Sequence, residues 1–233
     1  MSGRKKLGYL MEDEVFSRHV HPIKNSIPQW FKDTPPYVNG DVSPRINPKN
    51  LTMKHCIPFL DSLTIGYAVP LQGDVVVTQF PDGPNLSWGD NSRPPVSLRP
   101  AEFAPLLPVL EGYTNMLHFV WNAPQIIKLP KGYSAIVTHP FNRFDLPFFT
   151  LTAILDADSV VAGGSIPFFI KKDFEGVITA GTPILQIIPF KRESWIAVED
   201  KELKLESKRQ KYNSVSTVMG WYKKNSWKRK SYE

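Results

Sequence analysis

Apolar positions and turn residues follow one another in a regular order between Pro130 and Trp195. Apolar runs of strand length are separated there by Pro, Gly, Asp and Asn, a pattern typical of buried or half-buried strands joined by turns. The runs occupy residues 134–138, 148–155, 166–170 and 184–190. No part of this region has the period of a helix, so the pattern predicts one continuous β unit.

The flanking sequence predicts extensions around that unit. Residues 117–121 and 125–128 read as two further strands, and residues 81–108 read as a long proline-rich loop with Trp88 as a contact point. Loops of this length in compact domains usually serve function or an interface. The chain is therefore divided into an N-terminal arm (1–51), a β core (52–198) and a C-terminal tail (199–233).

The N-terminal arm is expected to contain a short helix at residues 11–19 and an extended aromatic segment at residues 27–37. Trp30, Phe31 and Tyr37 lie in this second segment, where prolines interrupt any helix. They are candidates for partner binding. Aromatic side chains of an extended arm more often cover the protein's own sheet, and we favour that interpretation.

Composition limits the class of protein. The chain has 233 residues with 22 prolines, which fits a single all-β domain with short terminal helices and extended arms. The one cysteine, Cys56, cannot form an internal disulfide, so an intracellular setting fits best. No apolar run approaches the length that spans a membrane, and no membrane partner is expected.

Positive charge is concentrated in the tail. Residues 201–233 contain ten Lys or Arg against three Glu, while the whole chain carries a net charge of +6. Helix formers predict a solvated helix within residues 199–212. The end of the tail interleaves aromatic and cationic side chains and contributes these candidate partner-binding residues: Trp221, Tyr222, Lys223, Lys224, Trp227, Lys228, Arg229 and Lys230.

Three local patterns resemble the trimeric dUTPase and dCTP-deaminase family, which has a β-clip fold. They are Pro130-Lys131-Gly132-Tyr133, residues 153–158 (AILDAD) and residues 178–188 (ITAGTPILQII). Residues 65–77 are faintly similar to the first strand pair of that family. The resemblance implies a β-clip fold, a distorted barrel or sandwich, over roughly residues 60–192.

The chemical groups of that family are mostly absent. Ala68 falls where the resemblance places an Asp, Ser159 falls where it places the aromatic side chain that packs on deoxyribose, and the Gly-rich C-terminal arm has no counterpart. Asp156 alone matches the water-activating carboxylate, and residues 139–143 offer Arg143 but no Ser. Asp156 and Asp158 also flank a turn, where Asp is common because its side chain can bond the backbone two residues on, and we favour that role.

A metal site has weak support in the sequence. The five histidines have no spacing that is diagnostic of metal binding, although His118, His139 and either Asp145 or Asp156 could meet in three dimensions. Hydrogen-bonded structural histidines are the favoured interpretation. We therefore expect no cofactor, with Mg²⁺ bound together with a nucleotide as the alternative.

The sequence, especially residues 54–67, 132–139 and 181–192, is also similar to uncharacterised proteins encoded by tailed bacteriophages and related viruses. Our leading hypothesis is a non-enzymatic β-clip protein that forms a homo-oligomer, as a structural or accessory virion component, in the host cytoplasm or the virion. The first alternative is an enzyme, either a divergent nucleotide hydrolase or deaminase or a metal-dependent oxygenase, that uses Asp156 with Arg143 and His139. The second alternative is a nucleic-acid-binding accessory protein whose tail neutralises phosphates and stacks on bases.

Overall fold

The computed structural model describes residues 5–11, 17–38, 51–89, 93–108, 110–114, 118–160, 164–216 and 220–233. The chain divides into two compact units. The first, called here the β body, comprises Met1–Ser26, Gly66–Arg192 and Glu233. The second, called here the helical unit, comprises Ile27–Ile65 and Glu193–Tyr232.

The β body contains fourteen strands within the described residues. In chain order they are β1 (Gly8–Met11), β2 (His21–Pro22), β3 (Tyr67–Pro70), β4 (Val75–Phe80), β5 (Gly83–Trp88), β6 (Val96–Arg99), β7 (His118–Ala123), β8 (Gln125–Lys128), β9 (Tyr133–Thr138), β10 (Phe148–Thr150), β11 (Ala153–Leu155), β12 (Gly164–Ile170), β13 (Gly176–Ile178) and β14 (Pro183–Lys191). The predicted all-β class is confirmed.

These strands form four sheets, and every pairing is antiparallel. The largest has the order β11-β9-β14-β3-β2, and the others have the orders β10-β12-β7-β6, β13-β4-β5 and β1-β8. None of the four closes on itself among the described residues. Strand β14 lies at the centre of the largest sheet, where Ile187 is opposite Val137 of β9 and Tyr67 of β3.

The apolar run of β14 follows from this central position. Its residues from Pro183 to Ile188 are all buried, so side chains on both faces are covered and the sequence need not alternate. Pro183 begins the strand, where the absence of a backbone N–H is tolerated.

An aromatic cluster forms the centre of the hydrophobic core. Trp121 is fully buried, stacks on Phe168 with 3.7 Å between ring centroids, and meets Phe148 edge-on at 5.0 Å. Its indole Nε1–H donates to Thr150 Oγ1 at 3.1 Å, so the one polar atom of this side chain is satisfied.

Two predictions about the β body are corrected. Residues 81–108 are not one irregular loop, because β5 forms a hairpin with β4 and β6 pairs with β7. The chain near residues 65–77 does not form a strand pair either, because β3 and β4 belong to different sheets. In both places frequent Pro and Gly concealed short strands whose partners are decided by tertiary packing.

Two predictions about the N-terminal arm are also corrected. Residues 27–37 are not extended throughout, because Gln29–Asp33 form helix α1 directly after Pro28. The expected helix at residues 11–19 is absent at its ends, since Met11 belongs to β1 and residues 17–19 have no regular structure. Residues 12–16 lie outside the described part of the chain.

Three further helices belong to the helical unit: α2 (Ile57–Thr64), α3 (Leu203–Ser216) and α4 (Trp221–Asn225). Phe31 of α1 is 5% exposed and stacks on Phe59 of α2 with 5.8 Å between ring centroids. The described side chains of α3 are exposed, as predicted for a solvated tail helix. Among the described residues, no helix combines the length and apolar character needed to span a bilayer.

Candidate functional site

Asp156, the candidate catalytic carboxylate, directly follows strand β11. The hydroxyl of Ser134 donates to Asp156 Oδ1 at 2.6 Å, and Arg192 Nη1 lies 3.3 Å from the same oxygen. The Asp156 backbone carbonyl accepts hydrogen bonds from the amides of Ser159 and Val160, both at 3.0 Å. The residue therefore closes a turn and joins a surface ion pair, and its carboxylate is 60% exposed.

Asp158 is held more firmly than Asp156. Arg192 grips both of its oxygens: Nη1 donates to Oδ1 at 2.9 Å, and Nη2 pairs with Oδ2. The amide of Gly132 donates to Oδ2 at 2.7 Å. The hydrogen bonds from Arg192 and from the Gly132 amide hold the pKa of Asp158 well below its usual range, so this carboxylate stays ionised.

Together these residues form a clamp, defined here as Asp156, Asp158 and Arg192. Arg192 follows the last residue of β14 and ties the turn after β11 to the start of β9. Sequence reasoning had considered the two aspartates but had not singled out Arg192 as their partner. The bidentate pair between Arg192 and Asp158 orders this turn and occupies both Asp158 oxygens.

His139 lies just beyond the other end of β9 and is 5% exposed. Its Nδ1 accepts the amide of Thr150 at 3.3 Å, so its Nε2–H donates to the Arg143 carbonyl at 3.1 Å. The ring stacks on Phe149 with 4.8 Å between centroids. Both ring nitrogens are therefore occupied by the protein's own backbone.

Burial lowers the pKa of His139 to about 4 from its ordinary 6.5. The nearby charges of Arg143 and Lys171 act in the same direction, while the hydrogen bond to the Arg143 carbonyl and the charge of Asp145 oppose it. The ring is neutral at pH 7, consistent with a structural histidine.

The guanidinium of Arg143, the third candidate catalytic residue, is bonded to Asp145 and to the backbone. Its Nη2 lies 2.9 Å from Asp145 Oδ2, its Nε donates to Asp145 Oδ1 at 3.0 Å, and its Nη1 donates to the Ser26 carbonyl at 3.1 Å. The guanidinium side chain is only 13% exposed. It fixes the turn at residues 140–146 and presents little surface to a phosphate.

The fold separates Asp156 from His139 and Arg143. Asp156 contacts Ser134 at the beginning of β9, whereas His139 follows its end, and five strand residues span about 16 Å. A general base and a phosphate-binding arginine would have to act on one substrate from opposite ends of the strand. The three candidates therefore do not assemble into one site.

The described residues also offer no cluster of three or more His, Cys, Asp or Glu side chains able to hold a metal ion. Both oxygens of Asp158 are bonded to Arg192, so this carboxylate does not fit a Mg²⁺–nucleotide complex, and the 60% exposed Asp156 belongs to no such cluster of described residues. The side chain of His118 is outside the described part of the structure.

We expect protonation of His139 to weaken the fold in acid. The folded-state pKa of about 4 is below the unfolded value near 6.5, so the stabilisation is complete above pH 6.5 and is lost as the pH falls from 6.5 towards 4. A shift of this size corresponds to about 3 kcal/mol at pH 4 and below. Urea unfolding at pH 7, 5.5 and 4.5 measures it, with His139→Gln as the variant that lacks the titration.

The slope between pH 6.5 and pH 4.5 should be largely absent in His139→Gln. Asp158 does not interfere, because its lowered pKa makes the stability depend on pH only below its ordinary value of 3.8. An unchanged slope in the variant would assign the acid sensitivity to another group.

The aromatic candidates of the N-terminal arm are used within the helical unit. Phe31 is buried against Phe59, so it is not available to a partner. Trp30 is half-buried against the same ring, and the Tyr37 ring lies 5.4 Å from that of His55. In the β body, Trp88 is half-buried and packs against the hydrophobic core.

Two candidate residues of the tail, Trp227 and Lys230, are bonded to helix α2. Trp227 Nε1–H donates to Asp61 of α2, with 3.0 Å to Oδ2, and Lys230 pairs with the same carboxylate. Trp221 is half-buried and Tyr222 is 43% exposed. The other cations among the candidate residues of the tail are exposed: Lys223, Lys224, Lys228 and Arg229. Nucleic-acid binding through them stays a prediction.

A short segment that sequence reasoning had not singled out places three strongly exposed apolar side chains close together. Trp195 is 87% exposed, Ile196 is 86% exposed and Val198 is 75% exposed. The segment has no helix or strand of its own and is separated from the end of β14 by three residues. The signal in the sequence was the run Trp-Ile-Ala-Val in a polar, charged stretch shortly after a strand end.

Solved structures to which the chain is similar are dUTPases from phage phi11 of S. aureus. One, a mutant dUTPase with a structural Mg(II) ion, is 10% identical, with a TM-score of 0.34 over 84% of this chain and 97% of that chain. Another, which shows a species-specific insert, is 9% identical with the same TM-score and coverage. No protein-family model and no curated protein matches the chain.

Proposed function

We propose that this chain is a non-catalytic protein that assembles with copies of itself, as a structural or accessory component of a phage particle. The observation that carries self-assembly is the exposure of Trp195, Ile196 and Val198. The assignment to a phage particle is supported by the resemblance of the sequence to phage-encoded proteins.

Exposure of this segment is costly for an isolated chain. Burial of each such side chain contributes roughly 1.5–3 kcal/mol, so a neighbouring subunit that covers all three gains a substantial free energy. Single exposed apolar residues are ordinary, but a contiguous group marks an interaction surface. Tryptophan in particular is enriched among residues that dominate the energy of interfaces.

The lack of catalysis is supported by the state of the candidate catalytic residues. Asp156 and Asp158 are paired with Arg192, and Arg143 is paired with Asp145. His139 is buried, with both ring nitrogens hydrogen-bonded to backbone. Hydrolysis of a nucleotide would require these groups to leave their present partners.

Light scattering of the full-length protein tests the proposal. We expect a mass that is a multiple of 26.5 kDa, and we expect the double variant Trp195→Ser/Ile196→Ser to dissociate at least tenfold more readily. The matched control is Leu205→Ser/Tyr212→Ser, which removes two side chains of α3 that are 65% and 75% exposed. The control should keep the mass of the wild type.

Two results would overturn the proposal. A wild-type protein that stays at 26.5 kDa at concentrations of about 100 μM, where an interface of ordinary affinity is filled, excludes self-assembly. Turnover of any deoxynucleoside triphosphate in the presence of Mg²⁺, followed by heat release and abolished in Asp156→Asn, excludes a non-catalytic role.

A further inference from the structure

A small cavity of about 40 Å³ lies in the interior of the β body. One side is formed by the five-stranded sheet, including Val69, Val137 and Ile187. Leu155 of β11 and Ile166 of β12 also line it, and these two residues are half-buried. The cavity therefore approaches the surface between β11 and β12.

One polar side chain lines this otherwise apolar space. Gln125 belongs to β8, where alternation places it on the same inward face as Ile127. It is 4% exposed, and neither its Nε2 nor its Oε1 has a hydrogen-bond partner within the described structure. The side chain of Gln125 thus offers one unpaired donor, Nε2, and one unpaired acceptor, Oε1, to a cavity with apolar walls.

A second buried glutamine shows how this fold treats such a group elsewhere. Gln186 of β14 is fully buried, and its Oε1 accepts the amide of Phe141 at 2.7 Å. Buried amides are almost always satisfied in this way, because a buried group without a partner keeps the full cost of lost hydration. Gln125 is buried without such a partner, and its side chain lines the cavity.

Water alone is a poor occupant for this cavity. A single water molecule needs roughly 10–15 Å³ of such space, so the cavity is large enough for more than one. Buried water is held by two to four polar partners, and among the described residues that line the cavity only Gln125 has a polar side chain. An organic group can bond the amide and also contact the apolar walls.

We propose that the cavity beside Gln125 binds a small neutral carboxamide group, either a free molecule or the end of a larger ligand. A carboxamide carries a donor next to an acceptor, and so complements both unpaired atoms of the Gln125 side chain. A charged group is disfavoured, because the apolar walls would not replace its hydration. This site is independent of the proposed self-assembly.

The test uses acetamide as the probe and the side-chain methyl resonances of Ile127 and Ile187, which line the cavity, as the readout. We expect a saturable shift of these resonances at millimolar acetamide, since a ligand of four non-hydrogen atoms has limited affinity. Acetate, with the same shape and a charge, and acetone, with an acceptor only, should bind at least tenfold more weakly.

Variants separate binding from folding. Gln125→Met fills a similar volume without polar atoms, so it should abolish saturable acetamide binding while the melting temperature stays equal or rises. Gln186→Met is the matched control, because it leaves the Phe141 amide unpaired and should lower the melting temperature. Gln125→Leu serves as a second variant if Gln125→Met does not fold.

The outcomes are distinct. A saturable shift at Ile127 and Ile187 that favours acetamide and vanishes in Gln125→Met supports the site. No saturable shift with acetamide, or equal shifts with acetamide and acetate, overturns it. A melting temperature that falls in Gln125→Met as much as in Gln186→Met also overturns it, because the Gln125 amide would then have a partner within the protein.

Discussion

Gly66→Ala is expected to destabilise the β body by about 4 kcal/mol or more, or to prevent folding. Gly66 directly precedes β3 and has φ +81, a left-handed conformation that side chains disfavour. A Cβ atom placed there would lie 2.2 Å from the backbone oxygen of Ile187. That oxygen belongs to the central strand of the five-stranded sheet and cannot move away without breaking the β14–β3 pairing.

Gly132→Ala is the matched control for this variant. Gly132 has a similar φ of +85, but a Cβ atom there would meet nothing within 4 Å. The control therefore carries only the cost of the left-handed conformation, about 1–2 kcal/mol. Urea unfolding of both variants measures the difference, and equal losses would show that the close approach to Ile187 does not matter.

Trp121→Ala is expected to cost about 4 kcal/mol. The indole is fully buried between Phe168 and Phe148, so its removal leaves a large cavity at the centre of the core. It also removes the hydrogen bond to Thr150 Oγ1. Thr150 keeps its own donor bonded, because its hydroxyl donates to the Ile184 carbonyl at 2.9 Å.

Trp121→Phe separates the two contributions. This variant keeps an aromatic ring against Phe168 and loses the Nε1–H, so we expect a loss of about 1–2 kcal/mol. Thermal or urea unfolding of the two variants provides the comparison. A loss in Trp121→Phe as large as in Trp121→Ala would assign the stability to the hydrogen bond rather than to packing.

The strands with clear apolar runs were predictable from the sequence. Strands β9, β12 and β14 lie within one or two residues of their predicted bounds, because burial on one or both faces imposes apolar residues at every position or every second position. The predicted run at residues 148–155 is two strands, β10 and β11, that pair in different sheets. No local pattern distinguishes one strand with a bend from two strands with different partners.

Short elements with weak patterns were not predictable. Helix α1 is stabilised by the contact of Phe31 with Phe59, a residue 28 positions away in sequence. Strands β5 and β6 are edge strands of their sheets, where Pro and Gly are tolerated because only one side needs a partner. Propensity alone therefore favoured loops and extended chain at these places.

The candidate site was also only partly predictable from the sequence. The sequence predicted that Asp156 would flank a turn, and its backbone carbonyl does accept two turn hydrogen bonds, but its side chain bonds Ser134 and Arg192 rather than the backbone of the turn. It did not indicate that Arg192, 34 residues from Asp158, would neutralise this turn. It also did not indicate that Gln125 would be buried without a partner, because polarity along a strand is visible in the sequence whereas the position of a cavity is not.

The sequence by itself determined the all-β class, the order of the main strands, the solvated helix of the tail and the concentration of positive charge there. These properties depend on local periodicity and composition, which act within a few residues. Only the tertiary structure decided which strands pair, which charged side chains meet, and which apolar and polar groups are left exposed or unpaired. Those outcomes depend on contacts between residues distant in the chain, and antiparallel pairing between many short strands allows numerous arrangements until the packing of Trp121, Phe168 and their neighbours selects one.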